Sequence, residues 1–361
     1  MTHEFGVAYY GVMYPDKARQ DYKEMIEHGV NVALFGISEF DAWFWDKAIP
    51  KLIEDAKSMG LTTYIDPWAW GKVFGGEPPS IFLQDNVENR QITAKTGKVM
   101  TAACLNSEDF KNYVFEKLEE LAKGTEADYF FWDEPHYAFF IQKGKGYSFK
   151  IMDEWSCRCK KCMKLFKDKY GYEMPYKLTD DVLEFREETI INFLREISHV
   201  VKKADPRKKV AVCMLPTISK GLLSRITKPY SKLAGIVDWE KIARASEFDI
   251  IASDPYWILL EKLIPVKIMF KGIKWYTEIV DYLKQLGDKY NKRTQIWIQA
   301  FKIPSGKEQE LIEGIEIAVK KNIDSIFVWP YRAGKYSILE SENPDLLWEM
   351  IGKTFKKHVN L

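Results

Sequence analysis

The 361-residue chain is 46% apolar and 14% aromatic, so it carries ample material for a large buried core. Its 53 lysines and arginines nearly balance its 52 acids, which leaves no general positive field, and we therefore expect neither nucleic acid nor a membrane as a partner. The first residues show no basic start followed by an apolar run, and no window is apolar enough for a membrane span, so we expect a cytoplasmic protein.

Short apolar segments rich in β-branched and aromatic residues alternate along the chain with longer stretches of helical periodicity. Such alternation is typical of βα units around a parallel sheet, and eight units predict a (βα)8 TIM barrel as a single domain over 1–361. The predicted strands are 6–11, 31–38, 62–68, 128–135, 209–216, 249–257, 294–301 and 325–332. The predicted helices are 16–29, 45–60, 107–124, 180–204, 239–247, 275–292, 307–322 and 344–358. Gly29, Gly60 and Gly124 at three helix ends are expected C-caps.

The alternative fold is an open doubly wound sheet, which normally carries a glycine-rich phosphate loop after its first strand. The residues at that place, GVMYPDK (11–17), offer no such loop. Two connections, 69–106 and 136–180, are much longer than usual and follow the third and fourth strands. Long βα loops lie on the C-terminal face of a barrel, so we expect the site on that face. The segment 258–274 is unusually apolar for a βα loop, which makes it a candidate lid or a candidate contact of a homo-oligomer.

Acidic and aromatic side chains accumulate where the predicted strands end. A carboxylate in a buried barrel strand is costly unless it is paired or functional, so these side chains are candidate site residues. The candidates for substrate binding are Tyr9, Glu39, Asp66, Trp68, His136, Tyr256, Trp257, Gln299, Trp329 and Arg332, and those for catalysis are Asp133, Glu134 and Asp254. Carboxylates accept hydrogen bonds from sugar hydroxyls and flat rings stack on apolar sugar faces, so the set predicts a small carbohydrate substrate. Taken singly, Trp68, Trp257 or Trp329 could equally be a core aromatic residue.

The sharpest local signal is FFWDEPHY (130–137) at the end of the fourth predicted strand. Neighbouring residues of a strand point to opposite faces, so Asp133 and Glu134 can face one cavity only if the backbone turns there. Pro135 favours such a turn. One acid can then protonate a leaving group while the other holds a substrate group. In the alternative interpretation, Asp133 caps the next turn and Glu134 pairs with a basic side chain.

Four of the five cysteines lie in a pattern that suits a metal. Cys157, Cys159 and Cys162 form a C-x-C-x-x-C run, and Cys104 lies just before the third predicted helix. Four thiolates from two segments can form a tetrahedral structural zinc site, and no organic cofactor is indicated. The alternative is a set of free or oxidised thiols. Cys213, inside the fifth strand, is expected to be an ordinary buried thiol.

The order of Cys104, an acid-bearing fourth strand with Glu134, and the run 157–162 followed by MKLFKDKYGYEMP (163–175) resembles the family-42 β-galactosidases. The resemblance implies a clan A glycoside hydrolase barrel with a four-cysteine zinc cluster and Glu134 as its acid/base. Asp133 departs from the clan pattern, which has Asn before the acid/base. Gln299 stands where the nucleophilic Glu of the seventh strand is expected. The retaining mechanism, with two carboxyls about 5 Å apart, therefore has no matching residues here.

The triplet Asp-Glu-Pro at 133–135 is similar to that of the family-123 β-N-acetylgalactosaminidases. This similarity implies hydrolysis by substrate assistance, in which Glu134 protonates the leaving oxygen and Asp133 orients the acetamido oxygen of the substrate as the nucleophile. Without substrate assistance, the second carboxylate would have to come from Asp254, Glu39, Asp66 or Glu278.

Gln299 also motivates a hypothesis from another class, a non-catalytic carbohydrate-binding barrel that has lost its nucleophile. Metal-dependent hydrolysis or lyase chemistry is less favoured, because such sites use clusters of histidines. Of the five histidines, His136 alone lies near the predicted mouth of the barrel.

Overall fold

The computed structural model describes residues 3–139, 141–143, 149–151, 154–217, 224–263 and 272–359. Eight parallel strands form a closed barrel, which confirms the predicted (βα)8 fold. They are β1 (Glu4–Tyr9), β2 (Val32–Gly36), β3 (Thr62–Asp66), β4 (Tyr129–Trp132), β5 (Lys209–Met214), β6 (Ile250–Ser253), β7 (Arg293–Gln299) and β8 (Ser325–Trp329). Each strand pairs with its neighbours in chain order, and β8 pairs with β1, where Phe327 lies opposite Gly6.

The helices of the described part surround this barrel. They are α1 (Pro15–Glu27), α2 (Glu39–Phe44), α3 (Ala48–Ser58), α4 (Phe82–Asp85), α5 (Glu108–Gly124), α6 (Lys160–Tyr170), α7 (Asp180–Ala204), α8 (Ser224–Ala234), α9 (Trp239–Arg244), α10 (Trp257–Leu263), α11 (Gly272–Tyr290), α12 (Glu308–Lys320) and α13 (Pro344–Val359). All eight predicted helices are present, and α2, α4, α6, α8 and α10 are additional to them. The predicted helix 45–60 begins later than expected, because Trp45 ends α2 and α3 starts at Ala48.

The helix ends follow the predicted glycines in two cases out of three. Gly29 and Gly60 lie two residues after the last residues of α1 and α3. Their φ angles are 75° and 92°, which glycine adopts without a steric penalty. The prediction for Gly124 is wrong, since this residue is the last of α5 and Thr125 ends the helix in an extended conformation. The Thr125 hydroxyl donates to the carbonyl of Leu121 at 2.7 Å and so satisfies one of the last helical carbonyls.

Both long connections carry structure of their own. The connection after β3 contains α4 and an antiparallel hairpin of Arg90–Ile92 with Val99–Ala103. The connection after β4 contains a hairpin of Ile141–Lys143 with Phe149–Ile151, and then α6. An isolated bridge between Thr93 and Ser156 ties the two connections together. Of the predicted lid or dimer segment 258–274, residues 264–271 lie outside the described residues.

The core has two layers, which the alternation of side chains along each strand separates. Ala8, Leu34 and Phe327 belong to the cluster inside the barrel, whereas Phe5 and Val7 pack between the barrel and its helices. An ion pair between Arg293 and Glu4 at 2.9 Å lies at the N-terminal end of the strands. No helix within the described ranges combines the length and the apolar character that crossing a membrane requires.

Candidate active site

A cavity of about 180 Å³ opens among the C-terminal ends of the barrel strands. Its lining consists of five acids (Asp66, Glu77, Asp133, Glu134, Asp254), six aromatic residues (Tyr10, Trp68, Phe131, Tyr256, Trp297, Trp329), and Ala8, Leu34 and Gly76. No lysine or arginine belongs to this lining in the part of the chain that the structure describes. The cavity therefore offers hydrogen-bond acceptors and flat apolar faces rather than positive charge.

The two acids that follow β4 both face this cavity. The backbone turns at Glu134, whose φ of 38° lies in the left-handed region, so that Asp133 and Glu134 line one space although they are neighbours in sequence. The turn predicted beside Pro135 is thus present. The ring nitrogen Nδ1 of His136 lies 2.6 Å from the carbonyl oxygen of Glu134 and holds the turn. Such a conformation costs of order 1–3 kcal/mol for a residue other than glycine, and it is typical of functional sites.

Gly75 and Gly76 bring the loop after β3 into direct contact with these acids. The amide of Gly75 donates to the backbone carbonyl of Asp133 at 2.9 Å. A Cβ atom on Gly75 would lie 2.3 Å from Oδ2 of Asp133 and 3.3 Å from Oε2 of Glu134. A Cβ on Gly76, whose φ is 121°, would lie 2.2 Å from the ring of Trp68. Only glycine allows the loop to close over the acids in this way.

Burial, and next to it the charge of neighbouring acids, raises the pKa of three acids of the cavity. Burial raises the pKa of Asp254 well above its ordinary value, and the nearby charge of Glu134, with which it shares a side-chain hydrogen bond, raises it further. Burial, followed by repulsion from Glu134 and Glu77, has the same effect on the pKa of Asp133. The pKa of Asp66 rises through burial and the charge of Asp133. These groups are set to hold protons at a pH at which an exposed carboxyl has lost its own.

Three polar atoms of the lining are buried without a hydrogen-bond partner among the described residues: Oδ1 of Asp66, Oδ1 of Asp254 and the hydroxyl of Tyr10. Buried polar side-chain atoms are nearly always paired with protein or water. Their position in one cavity makes them available for hydrogen bonds with a polar ligand or with water. The ring of Tyr10 stacks on that of Trp68 with centroids 4.6 Å apart, so these acceptors lie beside a flat aromatic surface.

We expect Asp66→Asn to raise the melting temperature by a few degrees at pH 8 and by less at pH 4. Because burial raises the pKa of Asp66 above its unfolded value of 3.8, the folded protein binds more protons than the unfolded chain between the two pKa values. Its stability therefore falls as the pH rises through that window, and an amide abolishes this loss. Melting curves from pH 4 to 8 test it, with the exposed Asp168→Asn as control. A gain independent of pH would contradict the explanation.

The structure brings seven of the predicted site residues to the cavity and leaves six outside it. The seven are Asp66, Trp68, Asp133, Glu134, Asp254, Tyr256 and Trp329, and the six are Tyr9, Glu39, His136, Trp257, Gln299 and Arg332. Of the acidic and aromatic lining residues, sequence reasoning missed Tyr10, Glu77, Phe131 and Trp297. Tyr10 and Trp297 follow the inward-facing Ala8 and Gln295 by two positions, so the alternation of strand residues was the signal for both.

Tyr9 and Arg332 belong to a polar cluster between the barrel and its helices. The Tyr9 hydroxyl donates to Asp21 at 2.8 Å, and Tyr9 packs against the ring of Tyr331. Arg332 forms an ion pair with Glu24 of α1. Both predicted ligand-binding residues therefore connect β1 and β8 to the outer helices.

Glu39 has a structural environment at the start of α2. Its carboxylate is 2% exposed and accepts three hydrogen bonds, from the amide of Gly71 (2.7 Å), the hydroxyl of Ser80 (2.7 Å) and the amide of Phe82 (2.8 Å). A buried carboxylate with three donors is fully satisfied. It fixes the loop that carries Gly75 to the acids.

Gln299, the last residue of β7, and Trp257, the first residue of α10, make their hydrogen bonds outside the cavity. The Gln299 amide oxygen accepts from the backbone of Leu259 at 2.9 Å, and its amide nitrogen donates to the carbonyl of Phe301 at 2.9 Å. The indole of Trp257 donates to Glu310 at 2.9 Å. The end of β7 therefore places no carboxylate at the cavity, in agreement with the absence of the clan's nucleophile in the sequence.

The four cysteines of the predicted metal site come together beside the cavity's long loops. Their sulfur atoms all lie within 4.8 Å of one another, and Sγ of Cys104 is 3.6 Å from that of Cys159 and 3.5 Å from that of Cys162. Tetrahedral zinc with Zn–S bonds of about 2.3 Å places its sulfurs about 3.8 Å apart. Cys104, Cys157, Cys159 and Cys162 are thus close enough to bind one metal ion. Cys213 is buried inside the barrel, as expected.

No protein-family model and no curated protein matches the sequence. Solved structures with the same fold include a catalytic mutant of a GH42 β-galactosidase from G. stearothermophilus (TM-score 0.71, 13% identity, 99% of this chain and 57% of that one). Others are a β-galactosidase from the haloarchaeon Halorubrum lacusprofundi (0.70, 13%, 99% and 58%) and the catalytic domain of a β-amylase from Paenibacillus polymyxa (0.67, 10%, 98% and 98%). The chain is thus similar in fold to glycoside hydrolase barrels and spans under three fifths of the two β-galactosidases.

Proposed function

We propose that the protein is a glycoside hydrolase that acts on a neutral or 2-acetamido sugar glycoside, with Glu134 as its general acid/base. The observation that carries the proposal is the placement of the acid doublet 133–134 in an aromatic-walled cavity at the C-terminal end of the barrel. The fold similarity to β-galactosidases and a β-amylase supports the same class of reaction. A small carbohydrate is the partner that we infer.

Substrate assistance accounts best for the acids that line the cavity. Glu134 protonates the leaving oxygen, and Asp133 accepts a hydrogen bond from the acetamido N–H and directs the acetamido oxygen to the anomeric carbon. The acetamido oxygen of the substrate thus serves as the nucleophile, a role that Gln299 cannot fill because it has an amide in place of a carboxylate. The amide of Gly75 fixes the backbone at Asp133, which supports a positioning role for this side chain.

The competing mechanism requires a second carboxylate from the protein. Asp254 and Asp66 line the cavity with Glu134. Glu39 instead accepts hydrogen bonds from two backbone amides and the Ser80 hydroxyl, and Glu278 lies on the outer helix α11. Asp254 makes a side-chain hydrogen bond with Glu134, whereas a nucleophile and an acid/base must stand apart on either side of the sugar. This contact favours substrate assistance over a covalent intermediate on Asp254.

Asp133→Asn is the variant that separates the mechanisms. We expect it to lower kcat on an aryl 2-acetamido-2-deoxyglycoside by about 10²-fold. The reaction uses the ionised form of Asp133, and an amide cannot supply the negative charge that stabilises the oxazoline-like transition state. Wild-type enzyme should leave the matching 2-hydroxy glycoside uncut, and a thiazoline mimic of the intermediate should inhibit it strongly. Steady-state rates on the paired substrates measure the effect.

Trp68→Phe provides a control that perturbs the aromatic wall without touching the acids, and it should change KM more than kcat. Efficient cleavage of 2-hydroxy glycosides that Asp133→Asn leaves unchanged would rule out substrate assistance. Mass spectrometry of an enzyme treated with a 2-fluoro glycoside would then identify which acid carries the covalent sugar.

Gln299 favours a second candidate function, a carbohydrate-binding barrel without catalysis. Its amide is fully occupied by two backbone groups, so β7 offers no reacting group. Calorimetric binding of a sugar without hydrolysis across a broad panel of glycosides would support this function. Turnover of any glycoside would end it.

We also propose that Cys104, Cys157, Cys159 and Cys162 hold a structural Zn²⁺. All four donors are thiolates in a closed arrangement with no position left for a substrate, which is the donor set of structural rather than catalytic zinc. The metal would fix the connections after β3 and β4, which carry the walls of the cavity. Reduced thiols of this kind suit a cytoplasmic protein.

A further inference from the structure

Arg186 of α7 is buried as deeply as any apolar core residue, with 1% of its surface exposed. Arginine is almost never fully buried unless its charge is compensated. Its guanidinium lies over the ring of Tyr137, with 4.3 Å from Cζ to the ring centroid, and Trp155 lies at 5.6 Å on the same measure. The buried charge of Arg186 needs an explanation, since Arg186 belongs neither to the inside of the barrel nor to the lining of the cavity.

All the hydrogen bonds that Arg186 makes through its guanidinium end on backbone carbonyls. Nε donates to Ser156 at 2.7 Å, and the two terminal nitrogens donate to Lys232 and Leu233 at 2.5 Å each. Ser156 directly precedes Cys157, the first cysteine of the C-x-C-x-x-C run. The fork therefore ties the cysteine segment to the end of α8, where carbonyl dipoles point outward.

The guanidinium of Arg186 lies beside the segment that carries the cysteine cluster, because it donates to the carbonyl of Ser156. No carboxylate in the described ranges forms an ion pair with it, and the groups that favour its charged form are Tyr137, Cys157 and Cys162. Burial lowers the pKa of Arg186 to about 10, which leaves the group cationic at neutral pH. Tyr137 is a neutral phenol at that pH, because burial raises its pKa well above the ordinary value. Of these three groups in the described part of the chain, Cys157 and Cys162 are the ones that become anions when they bind a metal.

A divalent ion bound by four thiolates carries a net charge of −2, because each cysteine must lose its proton to bind. Such a centre needs positive charge nearby in a buried site. We propose that Arg186 is the buried counter-charge of the metal–tetrathiolate centre and positions the backbone that leads into Cys157. The inference rests on the proposed metal site and adds a residue outside the cysteine motif.

The test compares metal affinity in Arg186→Gln, Arg186→Lys and wild type. We expect Arg186→Gln to bind Zn²⁺ about 10- to 100-fold more weakly, as outer-shell substitutions do. Arg186→Lys keeps the charge and should lose less than Arg186→Gln. Competition with a chromophoric chelator gives the affinity, and the thiolate-to-Co²⁺ charge-transfer absorption of the Co²⁺ form reports whether all four sulfurs still bind.

Arg158→Gln is the matched control. Arg158 lies between two of the cysteines in sequence, donates to the carbonyl of Met174 at 2.8 Å and stacks on Tyr176 at 3.9 Å, but it is only half-buried. Its loss should leave the Zn²⁺ affinity within about threefold of wild type. If both arginines only supported the local structure, Arg186→Gln and Arg158→Gln would weaken Zn²⁺ binding to a similar extent.

Wild-type Zn²⁺ affinity in a folded Arg186→Gln variant would overturn the counter-charge and leave the metal site intact. A wild type that binds neither Zn²⁺ nor Co²⁺ would overturn both. If Arg186→Gln does not fold, Arg186→Lys decides: an affinity within about threefold of wild type supports the charge, and a loss beyond 100-fold overturns it.

A second measurement removes one thiolate. In Cys159→Ser, which lowers the charge of the centre to −1, Arg186→Gln should weaken Zn²⁺ binding by a smaller factor than it does in the protein with four cysteines.

Discussion

Glu134→Gln is expected to lower kcat on an unactivated glycoside by about 10²- to 10⁴-fold while the sugar still binds. The amide has the shape of the carboxyl and can keep its position in the cavity, but it cannot give a proton to the leaving oxygen. The loss should shrink on aryl glycosides with acidic phenols, because a leaving group of low pKa needs little protonation. Rates across a series of such leaving groups, together with a binding constant for the sugar product, measure both parts.

Glu77→Gln is the control for this result. Glu77 lines the same cavity but comes from the exposed loop after β3, where the proposal gives it no proton to transfer. Its substitution should change kcat by less than about tenfold and should leave the dependence on the leaving group as in wild type. Full turnover by Glu134→Gln would remove this residue from the role of general acid, and with it the basis of the proposed reaction.

The barrel was predictable because each strand is a short apolar segment with its own flanking turn. Such signals are local, and eight of them in alternation with amphipathic helices admit few other folds. The acid doublet was predictable for a similar reason. Two adjacent acids before Pro135 can face one cavity only through a backbone turn, and the structure has that turn at Glu134.

Tyr9 and Tyr10 show where the sequence analysis failed although the information was present. Tyr9 is the last residue of β1 and Tyr10 follows it, so the choice between them depends on which alternate residues of the strand face the barrel axis. Ala8 belongs to the inner cluster and Phe5 and Val7 to the outer one, so the inward residue after Ala8 is Tyr10. Applied to β7, the same rule selects Trp297.

Glu39 and Gln299 show a different limit, because parity does not decide their roles. Glu39 is consumed by donors from Gly71, Ser80 and Phe82, which are more than 30 positions away in sequence. Gln299 bends to the backbone of Leu259 in another connection. Glu39 and Gln299 meet these hydrogen-bond partners only through the tertiary structure, so no local sequence pattern predicts the contacts.

The position of Glu77 in the cavity depends partly on a local sequence feature and partly on the tertiary structure. The loop that carries it can approach the acids only because two glycines precede it, and a Gly-Gly pair in a long loop is visible in the sequence. What it approaches is not visible. The acids, the strained turn at Glu134 and the glycine contact therefore form one arrangement, in which the loop backbone fixes the position of Asp133.

Gly75→Ala tests that arrangement and is expected to lower kcat by about 10²-fold or more in a protein that still folds. The new Cβ would lie 2.3 Å from Oδ2 of Asp133, so either the carboxylate or the loop must shift, and a displacement of about 1 Å at a reacting group can cost this much. Glycine at this position is not required by its backbone angles, which lie outside the left-handed region, so the effect is steric. Kinetics on the 2-acetamido substrate, with a melting curve for the same sample, separate loss of geometry from loss of fold.

Gly124→Ala is the matched substitution, since a Cβ there meets no atom within 4 Å and its backbone is not left-handed. This variant should keep wild-type kcat. If Gly75→Ala is folded and equally active, the carboxylate of Asp133 tolerates displacement, and a residue that orients the nucleophile of a substrate cannot. The same outcome would keep Glu134 as the general acid and would require the nucleophile to come from Asp254, Asp66 or an activated water.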